Sequence, residues 1–142
     1  MTSAITTPTV KSNEMTARDV DARIPLLERI VGDLSGHWAR ILEARGMLER
    51  AESAAREAGA SYTAQDRVDE IVEELNRLVD RVNGCIQEVE QLGGTVQEYK
   101  RGVVTFPMRR NGRLVLASWR RGEPQLAHWH ELHECFAYRK SL

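Results

Sequence analysis

The sequence predicts a mainly α fold: a long antiparallel helical hairpin, preceded by a short N-terminal helix and closed by a small C-terminal three-stranded antiparallel β cap. Three observations carry this. Two long stretches keep apolar residues at alternating steps of three and four, which is the period of a packed helix. Gly93-Gly94 stops the second stretch. Beyond those glycines the pattern changes to short runs of Val, Leu and aromatic residues separated by turn dipeptides.

Met1 to Glu14 has no apolar period and carries Pro8 among small polar residues, so a mobile tail is expected over 1–14 and a single domain over 15–142. Thr16 and Asp19 stand at capping spacing. Val20, Ile24, Leu27, Val31, Leu34, Trp38, Ile41 and Leu48 then form one apolar seam. Pro25 interrupts it, which predicts a short lead-in helix followed by a long one from Pro25 to about Glu57. Gly59 and Ser61 break the period, Thr63 is placed to cap a second helix, and Val68, Ile71, Leu75, Leu78, Val82, Cys85, Val89 and Leu92 form its seam. The short connector makes the two helices antiparallel neighbours. Val72, Val79 and Ile86 widen the apolar face of the second helix beyond what one neighbour covers, so the lead-in helix, the β cap or a second copy must cover it, and a homodimer is the expectation.

In the cap, Val103 to Phe106 and Leu114 to Trp119 flank Asn111-Gly112, the strongest short hairpin signal. Arg121 to Pro124 makes the next turn, and Leu126 to His130 supplies a third strand. So small a sheet needs the helices for support.

Composition excludes several classes. No apolar run approaches the roughly 20 residues that cross a bilayer, and the first residues lack a secretory pattern, so a cytoplasmic protein is expected. Cys85 and Cys135 fall in different elements without ligand spacing and are expected to be reduced thiols. Residues 1–94 hold 11 basic and 17 acidic side chains, residues 95–142 hold 9 and 4, so an acidic hairpin carries a basic cap. The basic groups Arg109-Arg110-Asn111-Gly112-Arg113 and Arg120-Arg121 come without a recognised reading module, and nucleic acid is not expected as a partner.

The chemistry concentrates around Trp129. On a strand His128 and His130 share one face with Trp129 opposite. If the chain turns helical at Glu131, His130, His133 and Glu134 share a face as well. Neutral imidazoles with a carboxylate suit a divalent transition metal, zinc or iron first, so His128, His130, His133 and Glu134 are the candidate ligands. Glu131 and Glu123 are the candidate proton carriers of a metal-dependent enzyme. The spacing of His128, His130 and Glu134 is similar to the first metal motif of cupins, but the closed barrel of that fold needs more strands than this chain holds.

Gly102-Val-Val-Thr-Phe-Pro107, Trp119-Arg-Arg-Gly-Glu-Pro124, Trp129-His-Glu131 and Phe136-Ala-Tyr-Arg139 together resemble the uncharacterised prokaryotic family known as domain of unknown function 2203. The resemblance covers about Thr16 to Leu142 and implies a grouping without an assigned activity. In the pattern it implies, an acidic residue commonly stands at Thr105, Cys at Ser118 and Asp at His133, while His130, Glu131 and Glu123 match.

Three functional readings follow from the residues. The first is a metal site in the cap, with or without turnover. The second is a non-enzymatic dimer whose basic cap meets an acidic partner. The third is a small-molecule pocket between cap and helices, lined by Trp119, Trp129 and Phe136.

Overall fold

The computed structural model describes residues 15–57, 59, 61–134 and 136–142; the expected tail and Cys135 lie outside them. Helix α1 spans Ala17–Glu57 and α2 spans Tyr62–Gln91. At 1.5 Å per residue α1 is about 60 Å long. Its start is a reciprocal capping box: the Thr16 amide donates to Asp19 Oδ2 at 3.0 Å, and the Asp19 amide donates to Thr16 Oγ1 at 3.1 Å. These hydrogen bonds hold the Asp19 carboxyl below the usual carboxylate range.

Two expectations about the helices are corrected. Among the described residues no lead-in helix separates at Pro25, because α1 runs through it. Pro25 itself is exposed, while Val20 and Ile24 before it share one core with Leu27 and Val31 after it. That shared burial outweighs the hydrogen bond that proline removes. The cap of α2 is Ser61, not Thr63: Ser61 has extended backbone angles and its hydroxyl accepts from the Ala64 amide at 3.4 Å.

The cap is a five-stranded antiparallel meander, not a three-stranded one. Strands β1 (Thr95–Glu98), β2 (Val103–Arg110), β3 (Arg113–Arg120), β4 (His128–His130) and β5 (Lys140–Ser141) stand in sequence order across the sheet. Both additional strands are short edges without apolar runs, which is why periodicity missed them. Arg110 pairs with Arg113 across Asn111-Gly112, whose φ values of 53° and 77° fit a two-residue primed turn.

One face of the sheet lies on the hairpin. Val104, Phe106, Val115, Ala117, Trp119 and Trp129 meet Val20, Leu27, Val31, Leu34 and Val89 in the main core. Three hydrogen bonds fasten the layers: Ser35 Oγ to the Tyr99 carbonyl at 2.7 Å, the Gly122 amide to Glu28 at 2.5 Å, and the Leu126 amide to Asp21 at 2.7 Å. A second cluster, Ile41, Ala44, Leu78 and Val82, joins the helices beyond the sheet. Cys85 is a buried free thiol, and burial pushes its pKa up, so it behaves as a small apolar residue.

Candidate functional site

A strand with one wet face alternates between buried and exposed, yet Val103, Val104, Thr105 and Phe106 are all buried. The outer face of the sheet is therefore covered too. Leu132, Glu134 and Ala137 of the C-terminal segment line the same cavity as Val103, Thr105 and Leu116 of that face.

Strand register decides what lies beneath this cover. Thr95, Thr105, Ser118, His128 and Ser141 pair in one row across all five strands. Pro107, Leu116 and His130 form the next row on the same face. The helix-facing side is apolar through Phe106, Ala117 and Trp129, so polar groups have been sorted to the outer side. Ser118 is fully buried, and among the described residues its hydroxyl has no hydrogen-bond partner. Thr105 Oγ1 accepts from Gln97 Nε2 at 2.9 Å.

The cavity on this face has a volume of about 560 Å³. Its walls are Val103, Leu116 and Leu132 for apolar contact, Thr105, Gln97 and His130 for hydrogen bonding, and Glu98, Arg101 and Glu134 at the charged edge. A bulge between Val96 and Glu98 lets both Gln97 and Glu98 reach it. Burial pushes the Glu98 carboxyl up, but hydrogen bonds from the Arg101 amide and guanidinium outweigh it and hold it low. Glu134 is held low by the Lys140 ammonium at 2.7 Å and the Glu131 amide at 2.9 Å.

His130 is 3% exposed, and its Nδ1 lies 2.9 Å from the carbonyl oxygen of Glu131. A carbonyl only accepts, so Nδ1 must carry the hydrogen. In the neutral ring Nε2 is then the nitrogen with the lone pair, able to accept a proton or bind a metal.

Glu123 is organised differently. Its carboxylate takes a two-pronged contact from Arg139, at 3.1 and 2.7 Å, and the Arg120 amide at 2.8 Å. Its backbone carbonyl accepts from Trp119 Nε1 at 2.9 Å, and its amide donates to the Arg120 carbonyl at 3.0 Å. Burial pushes this carboxyl up, but the Arg139 and Arg120 hydrogen bonds and the Arg139 charge prevail, leaving it below the usual range. His128 Nδ1 stands 3.7 Å from Glu123 Oε2, beyond hydrogen-bond reach, and has no hydrogen-bond partner among the described residues. Glu123 thus pins the β3–β4 turn to the C-terminal segment.

The predicted ligands are only partly assembled. His130 and Glu134 line one cavity, and His128 shares their face. His133 is exposed, and 131–134 forms a turn rather than a helix, so the one-face arrangement with His130 does not arise. Among the described residues no three His, Cys, Asp or Glu side chains converge. Glu131 reaches Arg113 at 2.6 Å. Trp119 and Trp129 lie on the helix-facing side, in the core, with Arg110 and Lys140 over the Trp129 ring; of Phe136 only the backbone is described. Gln97, Glu98, Leu116 and Leu132 were not singled out by sequence, since only register and the folded-back C terminus reveal them.

The fold and site define a two-layer protein: a helical hairpin on one side of a five-stranded meander and a polar, histidine-bearing cavity on the other. Residues 15–142 match the family described as uncharacterized conserved protein DUF2203, and the chain belongs to that family. No curated protein and no solved structure matches it. Thr105 and Ser118, two positions at which the chain departs from the pattern that its resemblance to the family implies, are direct partners across β2 and β3.

Proposed function

We propose that the chain binds a small, polar molecule in the outer-face cavity, with His130 as the proton acceptor toward it. The observation that carries this is the fixed ring of His130: a buried imidazole on a cavity wall whose backbone hydrogen bond leaves the Nε2 lone pair for a ligand. Thr105, whose oxygen already accepts from Gln97, has a hydroxyl hydrogen to donate, and Leu116 and Val103 give an apolar floor. A cavity of this size with a few converging polar groups is what small-molecule sites consist of.

The test is a screen of uncharged fragments by protein-observed NMR on the wild type, His130→Ala and Leu116→Trp, the last of which fills the floor. Shifts at Thr105 and His130 in the wild type that vanish in both variants support the reading. Fragments that bind all three chains alike refute it.

A metal-dependent form of the same site is favoured by one observation: Glu134 and His130 line the same cavity. A divalent zinc or iron ion held by these two donors would take further ligands from the bound molecule or water and act as a Lewis acid. Glu134 would have to exchange its Lys140 contact for the ion. Elemental analysis of chelator-free protein tests this; metal retained equally by His130→Ala and the wild type counts against it.

A further inference from the structure

We propose that two copies associate antiparallel through the distal half of the helical hairpin, forming a four-helix contact in which each hairpin tip reaches toward the partner's sheet. In an antiparallel helix pair, residues one position after each seam residue fall on the same side of both helices. The sheet uses that side near the hairpin base: Asp21, Glu28 and Ser35 each follow a seam residue, Val20, Leu27 or Leu34, and each bonds the cap. The same side continues past the sheet as Leu42, Val72 and Val79, which follow Ile41, Ile71 and Leu78. These apolar side chains are 47%, 39% and 44% exposed.

Sterics and charge select the occupant. A partner laid parallel on this side would drive its hairpin into the sheet. An antiparallel copy places distal half over distal half, with its own sheet beyond this copy's tip. At the proximal end of the uncovered side, Lys100 and Arg121 line a groove with Gly32, Ala39 and Leu42. At the distal end stand Glu49, two turns past Leu42, and Glu52, which lines the groove at the tip together with Arg56. Among the described residues these four charges have no ion-pair partners. Reversing the direction of a second copy brings each basic pair toward the other's acidic pair, twice by symmetry. About 20 residues of each helix, some 30 Å long and 10 Å wide, offer on the order of 600 Å² per copy. The tip contacts bring this toward the roughly 800 Å² of an ordinary interface.

Sedimentation equilibrium of the full chain, from low micromolar to submillimolar concentration, tests the arrangement. The wild type is expected to show a monomer–dimer equilibrium that Leu42→Glu with Val79→Glu weakens by roughly 100-fold or more, the helical circular dichroism being retained. Lys100→Glu with Arg121→Glu, and separately Glu49→Lys with Glu52→Lys, each weaken self-association; mixing these two variants restores a heterodimer. A monomeric wild type, a dimer indifferent to Leu42→Glu with Val79→Glu, or charge variants that fail to pair on mixing overturns the proposal.

Discussion

Replacing Arg139 with alanine removes both prongs of its contact with Glu123, in a pair whose side chains are each only 15% exposed. Breaking a buried ion pair from one side costs about 3–5 kcal/mol, because the remaining charge is stranded. Here Glu123 keeps the Arg120 amide and some solvent, so a loss near 2–3 kcal/mol is expected at neutral pH. For a chain of this size the unfolding entropy is roughly 0.3 kcal/mol/K, which turns that loss into a drop of about 7–10 °C in Tm. The pH dependence adds a second check. The folded pKa of Glu123 lies below its ordinary value of 4.5, so its contribution is complete above the ordinary carboxylate range and is lost as pH falls through the folded value. The gap between wild type and Arg139→Ala must therefore narrow in acid. Thermal melts across pH measure both quantities. A Tm change under about 2 °C at neutral pH, or a gap that stays constant into acid, would show that the pair does not fasten the C-terminal segment.

Two further substitutions probe the sheet. Gly102 has φ of 75°, and a Cβ there would meet Val31 Cγ1 and lie 3.1 Å from Arg121 Cβ, so Gly102→Ala combines backbone strain with overpacking and is expected to cost about 2–4 kcal/mol in denaturant titration. Ser118→Ala removes a buried hydroxyl that has no partner among the described residues, and the same titration should find the variant as stable as the wild type or up to about 1 kcal/mol more stable; a clear loss would mean that the hydroxyl is satisfied by bound water.

Much of this architecture is legible in the sequence, because the apolar seam of α1 holds one period from Val20 to Leu48, broken only at Arg45, that of α2 holds it from Val68 to Leu92, and Asn111-Gly112 dictates its hairpin. Pro25 misled because a local rule yields to the core shared by Ile24 and Leu27. Thr95–Glu98 and Lys140–Ser141 carry no apolar alternation and become strands only because β2 and β4 offer them an edge. At the site, the shared face of His128 and His130 followed from strand geometry alone. What periodicity cannot supply is which loop covers that face. The return of the chain after Glu131 exposes His133, pairs Glu131 with Arg113, gives Glu134 to both Lys140 and the cavity, and locks Glu123 to Arg139. Trp119 and Trp129, expected to line a pocket, sit on the helix side, because the two largest aromatic side chains of the sheet contribute most when buried in the main core.

The measurement that bears most directly on the site is the tautomer of His130, read from long-range proton–nitrogen NMR correlations of the imidazole at a pH where the ring is neutral, with His130→Gln used for assignment. Hydrogen on Nδ1 and a bare Nε2 are expected. A hydrogen on Nε2 would contradict this, since the ring would then be a donor and could serve neither as proton acceptor nor as metal ligand through that atom.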